Sequence, residues 1–185
     1  MKKFNLNEKG FTLIELLAVI VILAIVMVLA SQSVLPFMRN ASKDSFVIEA
    51  NGVIDAASNA ISLYNVGQMS EMGESKNITL PLNDENKTNV VAYKKLTNGF
   101  CFSIAYLVDR GVYSLKYNKI NDKNYGGYVI AKKASSDSNN YTYTLNFENK
   151  DFYVSNFSSG AVTADDVHEQ DGADHKITSS CAGVE

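Results

Sequence analysis

The chain has 185 residues and a formal net charge of −3 at pH 7, with 46% apolar and 20% charged residues. This length leaves room for one domain and an appended helix. The slightly acidic balance provides no general basic surface for nucleic acid, so nucleic acid is not expected as a partner.

An apolar run of twenty residues extends from Phe11 to Ala30. Glu15 is the only ionisable side chain in it, and it contains neither Gly nor Pro. Twenty helical residues at about 1.5 Å each span about 30 Å, the thickness of a bilayer core. The run therefore predicts a membrane-spanning helix, and the alternative is a buried helix of a soluble domain.

The residues on either side of the run indicate its orientation. Lys2, Lys3 and Lys9 outweigh Glu8 before it, which predicts a cytoplasmic N-terminus and places the rest of the chain outside. A removed secretory signal is a second alternative, since such signals also begin with basic residues. Their apolar stretch is only about 7–15 residues long, however, and Ala30 would make a weak cleavage site.

The segment KGFTLIE at residues 9–15, between a short basic leader and a long apolar run, resembles the N-terminus of type IV pilins and pseudopilins. The resemblance implies that residues 1–10 are a leader peptide that a membrane peptidase removes after Gly10. It also implies that Phe11 becomes the methylated N-terminus and that Glu15 is the acid retained for assembly.

Glu15 needs an explanation, because a carboxylate inside hydrocarbon costs roughly 2.5–3.5 kcal/mol on insertion scales. Cleavage would create a charged amine at Phe11, and pairing the two charges reduces the desolvation cost of both. We therefore hypothesise that Glu15 of an incoming subunit faces the Phe11 amine of a subunit already in a filament. The alternative is a Glu15 side chain that reaches the membrane interface from one turn inside the helix.

Helical spacing continues beyond the apolar run. Apolar residues recur every three or four positions, which predicts an amphipathic helix over residues 36–64 with one face on a sheet. These positions are Phe46, Val47, Ala50, Val53, Ile54, Ala57, Ile61 and Tyr64. Residues 11–35 would be the transmembrane and polymerisation part of the same helix. Pro36 predicts a kink or local unwinding because it removes one intrahelical hydrogen bond, and Gly52 is a second weak point, at about 1 kcal/mol relative to Ala.

The remaining residues divide into a loop and a sheet. The polar stretch 65–89 predicts a loop, and strand signals with a C-terminal tail occupy residues 90–185. The resulting fold class is α+β, a long N-terminal helix packed on an antiparallel sheet, which is also what the resemblance to type IV pilins implies. Residues 36–185, which include the amphipathic part of the helix, would form an extracellular globular domain.

Individual strands follow from alternation and turn residues. Residues 100–107 alternate and predict a strand, with a turn at residues 109–111 and a returning strand at 112–117. A further strand is expected at 128–131. Residues 141–147 and 151–157 flank a short polar connection and predict a hairpin.

Cys101 and Cys181 are the only two cysteines, and the predicted orientation places both outside the cell, where thiols can oxidise. A bond between them would tie the C-terminal tail to the sheet. Many type IV pilins have one disulfide that bounds a C-terminal region, so the resemblance also implies this pairing. The alternative is a buried Cys101 in a strand and a free thiol at Cys181.

Catalytic constellations are scarce, and we predict no enzyme and no cofactor. No serine lies in a nucleophile elbow, and no phosphate-binding loop is present. An acidic stretch could bind calcium through Asp165, Asp166, Asp171 and Asp174, although its spacing does not match the EF-hand loop. A solvated acidic loop is the alternative, and we assign no metal.

The resemblance implies a structural subunit of a type IV pilus, or fimbrium, that polymerises with other pilin subunits through its N-terminal helix. By family analogy it implies a prepilin peptidase, an assembly ATPase and a platform protein as partners. The precursor would be a single-pass membrane protein, and the assembled pilus would lie at the cell surface and serve cell adhesion or twitching motility. The alternatives are a minor pilin or pseudopilin of a DNA-uptake or secretion machine, or a membrane-tethered adhesin.

Overall fold

A computed structural model describes residues 11–69, 76–80, 88–114, 125–135, 138–158, 160–170, 177 and 180–185. Its contacts divide the chain into two compact units, Met1–Ser42 and Lys43–Glu185. The first unit contains the apolar run, and the second contains the sheet and the hydrophobic core.

One long helix, α1, runs from Leu13 to Asn65. The helical assignment continues through Pro36, and a kink there, or local unwinding in a packed filament, stays a prediction. The helix ends in a Schellman arrangement, in which the Gly67 N–H donates to the Tyr64 carbonyl at 3.0 Å and the Gln68 N–H to the Leu63 carbonyl at 2.9 Å. Gly67 has a φ of 76°, a left-handed conformation that glycine adopts without steric cost.

The second half of α1 is amphipathic, as its spacing predicts. Its buried face consists of Phe46, Ala50, Val53, Ala56, Ala57, Ala60 and Ile61. This face packs on the sheet, where the Phe46 ring stacks on Phe147 with 4.9 Å between ring centroids. Alanines make up much of this face, and the aromatic pair adds packing energy of about 0.5–1.5 kcal/mol beyond its buried area.

Within the described residues, seven antiparallel strands form one sheet in sequential order. They are β1 (Lys76–Leu80), β2 (Thr88–Leu96), β3 (Gly99–Ser103), β4 (Gly126–Lys133), β5 (Tyr141–Glu148), β6 (Phe152–Ser158) and β7 (His168–Glu169). Every neighbouring pair is antiparallel, as expected for α+β. The hairpin predicted from residues 141–147 and 151–157 is confirmed as β5 and β6, and the strand expected at 128–131 lies within β4.

Two expectations from the sequence are wrong. The stretch 65–89 is not wholly a loop, because it contains β1, which pairs with β2. The strand expected over residues 100–107 ends at Ser103, and a short helix, α2 (Ile104–Asp109), follows. The Ser103 hydroxyl accepts a hydrogen bond from the Tyr106 N–H at 3.2 Å and so caps this helix.

The returning strand expected at 112–117 is not formed by residues 112–114, which are irregular. Its remaining residues, 115–117, lie outside the described residues. After α2 the chain instead brings Tyr113 against α1, where the Tyr113 hydroxyl donates to the Glu49 carbonyl at 2.9 Å. Burial is the main cause that raises the pKa of this phenol, and nearby Glu49 raises it further.

Two hydrogen bonds between a side chain of α1 and the backbone anchor the helix to the chain after β6. The Asn51 amide donates to the Val162 carbonyl at 2.9 Å, and its oxygen accepts from the Val162 N–H at 2.7 Å. One side chain therefore satisfies both backbone groups of Val162, whose own side chain is buried in the core. Paired bonds of this kind fix the position of the loop along the helix. If the loop moved by one residue, the backbone N–H and carbonyl of Val162 would lose the Asn51 amide as their partner.

Candidate functional site

The N-terminal end of α1 is built around Thr12 and Glu15. The Thr12 N–H and the Thr12 hydroxyl both donate to Glu15 Oε2, each at 2.8 Å, and the Glu15 N–H lies 3.4 Å from the Thr12 hydroxyl oxygen. This is a capping box, in which the residue before the helix and the third helical residue satisfy each other's backbone N–H groups. The T-x-x-E spacing in the sequence is typical of a capping box. The hypothesis for Glu15 rested on its charge and did not include this hydrogen-bonding role.

The apolar run is exposed within its own unit. The large hydrophobic side chains between Phe11 and Met38 are 49% to 85% exposed. The most apolar part of the helix has a mean hydropathy of 3.2, and none of it is buried. By length and composition, α1 can cross a membrane. Its exposure differs from that of a core helix in a soluble protein, which is mostly buried.

The polar group of Ser31 at the end of the run is satisfied inside the helix. Its hydroxyl donates to the Met27 carbonyl at 2.8 Å. This bond to the carbonyl four residues earlier removes an unpaired donor from an apolar surface. Together with the Thr12–Glu15 box, it leaves the segment suited to an environment without water.

The sequence-predicted processing site lies partly outside the described residues. Gly10 and the leader, residues 1–10, belong to that part, and Phe11 is 85% exposed immediately before the helix. Cleavage after Gly10, methylation of Phe11 and the pairing of its amine with Glu15 remain predictions.

Cys101 and Cys181 form a disulfide, with their Cα atoms 5.8 Å apart, and the alternative of a free Cys181 is wrong. Cys101 lies in β3, and both cysteines are fully buried. The tail is held by two further contacts to β2. The Cys181 N–H donates to the Val91 carbonyl at 2.7 Å, and the Lys94 ammonium donates to the Val184 carbonyl at 2.6 Å.

Only part of the acidic stretch proposed for calcium lies among the described residues. Asp165 and Asp166 lie in a 3-10 helix at Ala164–Asp166, whereas Asp171 and Asp174 lie outside the described residues. The Asp166 carboxylate accepts from the Thr163 hydroxyl at 2.6 Å and the Thr163 N–H at 2.9 Å. These two bonds lower the pKa of Asp166, and they give the carboxylate a structural partner. Among the described residues, no group of three or more His, Cys, Asp or Glu is placed to hold a metal ion.

Residues 5–31 match the family model of the prokaryotic N-terminal methylation motif. This motif is the leader signature of type IV prepilins, and it supports a type IV pilin-type protein. The signature points to a structural protein rather than an enzyme. Comparisons of the chain with curated proteins and with solved structures find no significant match.

Proposed function

We propose that this chain is a structural subunit of a type IV pilus. The observation that carries the proposal is the continuity of two features: the methylation motif at residues 5–31 runs directly into a helix whose apolar side chains are exposed. The leader is removed after Gly10, Phe11 is methylated, and copies of α1 then pack against one another.

Exposed apolar surface supplies the driving force. Removing such surface from water contributes roughly 25 cal/mol per Å², so the run between Phe11 and Met38 requires either lipid or other apolar helices around it. The membrane covers it before assembly, and neighbouring subunits cover it in the filament. The helix is thus suited to both states without a change in its own fold.

Glu15 provides the specificity that apolar packing lacks. Apolar surfaces can slide past one another, whereas the Glu15 carboxylate, beyond its bonds to Thr12, pairs with an opposite charge, the Phe11 amine of a neighbouring subunit. Because an unpaired charge costs roughly 2.5–3.5 kcal/mol in the membrane, pairing favours one axial offset between subunits.

The partners and location follow from this role. A prepilin peptidase processes the precursor while its N-terminus is cytoplasmic, and an assembly ATPase with a platform protein extracts it from the membrane. The disulfide-closed sheet domain then lies at the cell surface as part of the pilus.

Mass spectrometry of the protein isolated from cells tests this proposal. We expect a mature chain that begins at N-methylated Phe11, and we expect subunit-specific antibodies to label extracellular filaments. Continuous labelling supports a main structural subunit, whereas sparse labelling would reassign the chain as a minor pilin or pseudopilin. A protein that still begins at Met1 and is absent from every extracellular fibre would overturn the proposal.

A further inference from the structure

A polar groove lies in the Lys43–Glu185 unit, beside the end of α1. It consists of two adjoining hollows of about 360 and 250 Å³ that share Asn65 and Tyr141 in their walls. The turn between β2 and β3 and the residues Asn139 and Asn140 just before β5 form its other sides. We define these two hollows together as the α1-end groove.

One end of the α1-end groove is cationic. Lys95 and Lys133 line the smaller hollow, and among the residues that the structure describes no acidic residue lines either hollow. The Lys95 ammonium lies 6.0 Å from the centre of the Tyr64 ring, and within the part of the chain that the structure describes neither lysine has a carboxylate partner. Two unneutralised ammonium groups on a protein of net charge −3 favour an anionic group at this end.

The described residues that line the other end are uncharged and rich in hydrogen-bonding groups. Asn139 and Asn140 line it together with Ser58 and Ser62. An asparagine amide provides a carbonyl acceptor beside an NH₂ donor, a pair that matches two adjacent hydroxyl groups. The partly exposed Tyr141 ring stands between the two ends, where it offers a flat apolar surface with a polar edge.

Backbone hydrogen bonds hold the walls in place. The Lys133 N–H donates to the Asn98 carbonyl at 2.8 Å, and the Ala134 N–H donates to the Asn140 carbonyl at 3.0 Å. The Asn140 N–H in turn donates to the Ser138 hydroxyl at 2.9 Å. A ligand therefore meets a surface that is already ordered, which reduces the entropic cost of binding.

We infer that the α1-end groove binds an anionic glycan. The asparagine amides bond to adjacent sugar hydroxyls, Tyr141 packs on the C–H face of a sugar ring, and Lys95 and Lys133 pair with a carboxylate or another acidic substituent. Single-stranded nucleic acid is the rival ligand, but it requires cations that follow its backbone along the groove. Among the described lining residues, the cations Lys95 and Lys133 lie at one end, and the amides and hydroxyls lie at the other.

Calorimetric titration of the full chain in detergent micelles tests this inference, which does not depend on leader processing or filament assembly. The probes are an α-1,4-linked octagalacturonate, the neutral maltooctaose and an octathymidylate of similar charge. We expect octagalacturonate to bind more tightly than either of the others. The double variant Lys95→Gln, Lys133→Gln should weaken its binding by about tenfold or more, because it removes both ammonium groups that pair with the carboxylates of the ligand.

The matched control is Lys132→Gln, Lys150→Gln, which removes the same charge at exposed positions outside the groove. It should change the affinity by less than about twofold, because salt screens the interaction between distant exposed charges and the ligand. Asn139→Ala keeps both groove lysines. It should weaken the binding of octagalacturonate and leave the binding of octathymidylate unchanged. Three results would each overturn the inference: no measurable binding of octagalacturonate, equal losses in the two lysine variants, or tighter binding of octathymidylate with the same dependence on Lys95 and Lys133.

Discussion

At the scale of single residues, Glu15 has two physical roles that sequence and structure reveal separately. Its charge in an apolar run suggests pairing with an amine, and its geometry shows a capping box with Thr12. The two roles differ in one respect that can be tested, because hydrogen bonding to the helix N-terminus tolerates a neutral glutamine whereas charge pairing does not.

We therefore predict that Glu15→Gln reduces filament assembly as strongly as Glu15→Ala. Both variants leave the Phe11 amine of a neighbouring subunit unpaired, and a loss of only 1.4 kcal/mol changes an equilibrium constant about tenfold. The measurement is the amount of subunit in sheared filaments, normalised to the amount in cells. Thr12→Val is the control, because it removes the hydroxyl of the box but keeps the carboxylate, and it should assemble. Normal assembly of Glu15→Gln would limit Glu15 to a capping role.

Gly52 lowers the local stability of α1 but leaves space for a neighbouring side chain. A glycine inside a helix costs about 1 kcal/mol relative to Ala, which marks the position as a weak point. In the fold, a Cβ atom at Gly52 would lie 3.1 Å from the Tyr113 ring. The absence of a side chain thus lets this ring pack against α1, where its hydroxyl reaches the Glu49 carbonyl.

At the scale of elements, the boundary between β3 and α2 explains why one expectation was wrong. Residues 104–107 are all buried, so both faces of this short segment are apolar. Periodicity cannot separate a strand from a buried helix in such a run. The local signal that could have done so is Ser103, a favourable capping residue at the start of the helix.

The connection between α1 and Val162 provides a second prediction. Asn51→Ala should lower the free energy of unfolding by about 1–3 kcal/mol, because two hydrogen bonds of about 0.5–1.5 kcal/mol each are lost. Urea unfolding of the full chain in micelles, followed by circular dichroism, measures this change. Asn59→Ala is the matched control, since Asn59 is exposed on the same helix and should change stability by less than about 0.5 kcal/mol. Equal effects of the two substitutions would contradict the role assigned to Asn51.

At the scale of the whole molecule, the disulfide is a covalent link between distant parts of the chain. It joins β3 to the tail across 80 residues of sequence, so the segment that includes strands β4–β7 is held between its two ends. Neighbouring strands in the sheet are joined locally, whereas Cys101–Cys181 restrains the chain at long range. Its effect should therefore extend beyond the tail itself.

We predict that Cys101→Ala, Cys181→Ala lowers the free energy of unfolding by up to about 4–5 kcal/mol, the chain-entropy value for a loop of this size. Urea unfolding of the oxidised protein, the reduced protein and the double variant measures the change. The reduced protein is the control for the lost side-chain volume and should be destabilised in the same direction. Hydrogen exchange should also become faster in residues 180–185. Identical unfolding curves for all three samples would contradict this prediction.

The sequence by itself determined the features that depend on local pattern: the apolar run, its leader motif, the amphipathic half of α1, the β5–β6 hairpin and the α+β class. These features repeat over short distances, so periodicity and turn residues specify them. Only the tertiary structure decided that β3 gives way to α2, that β1 pairs with β2, that Asn51 meets Val162 and that Lys95, Lys133 and Tyr141 surround one groove. The Asn51–Val162 contact and the groove join residues far apart in the chain, whereas the β3–α2 boundary and the β1–β2 pairing are local. All four depend on strand register or on packing, which local sequence pattern does not encode.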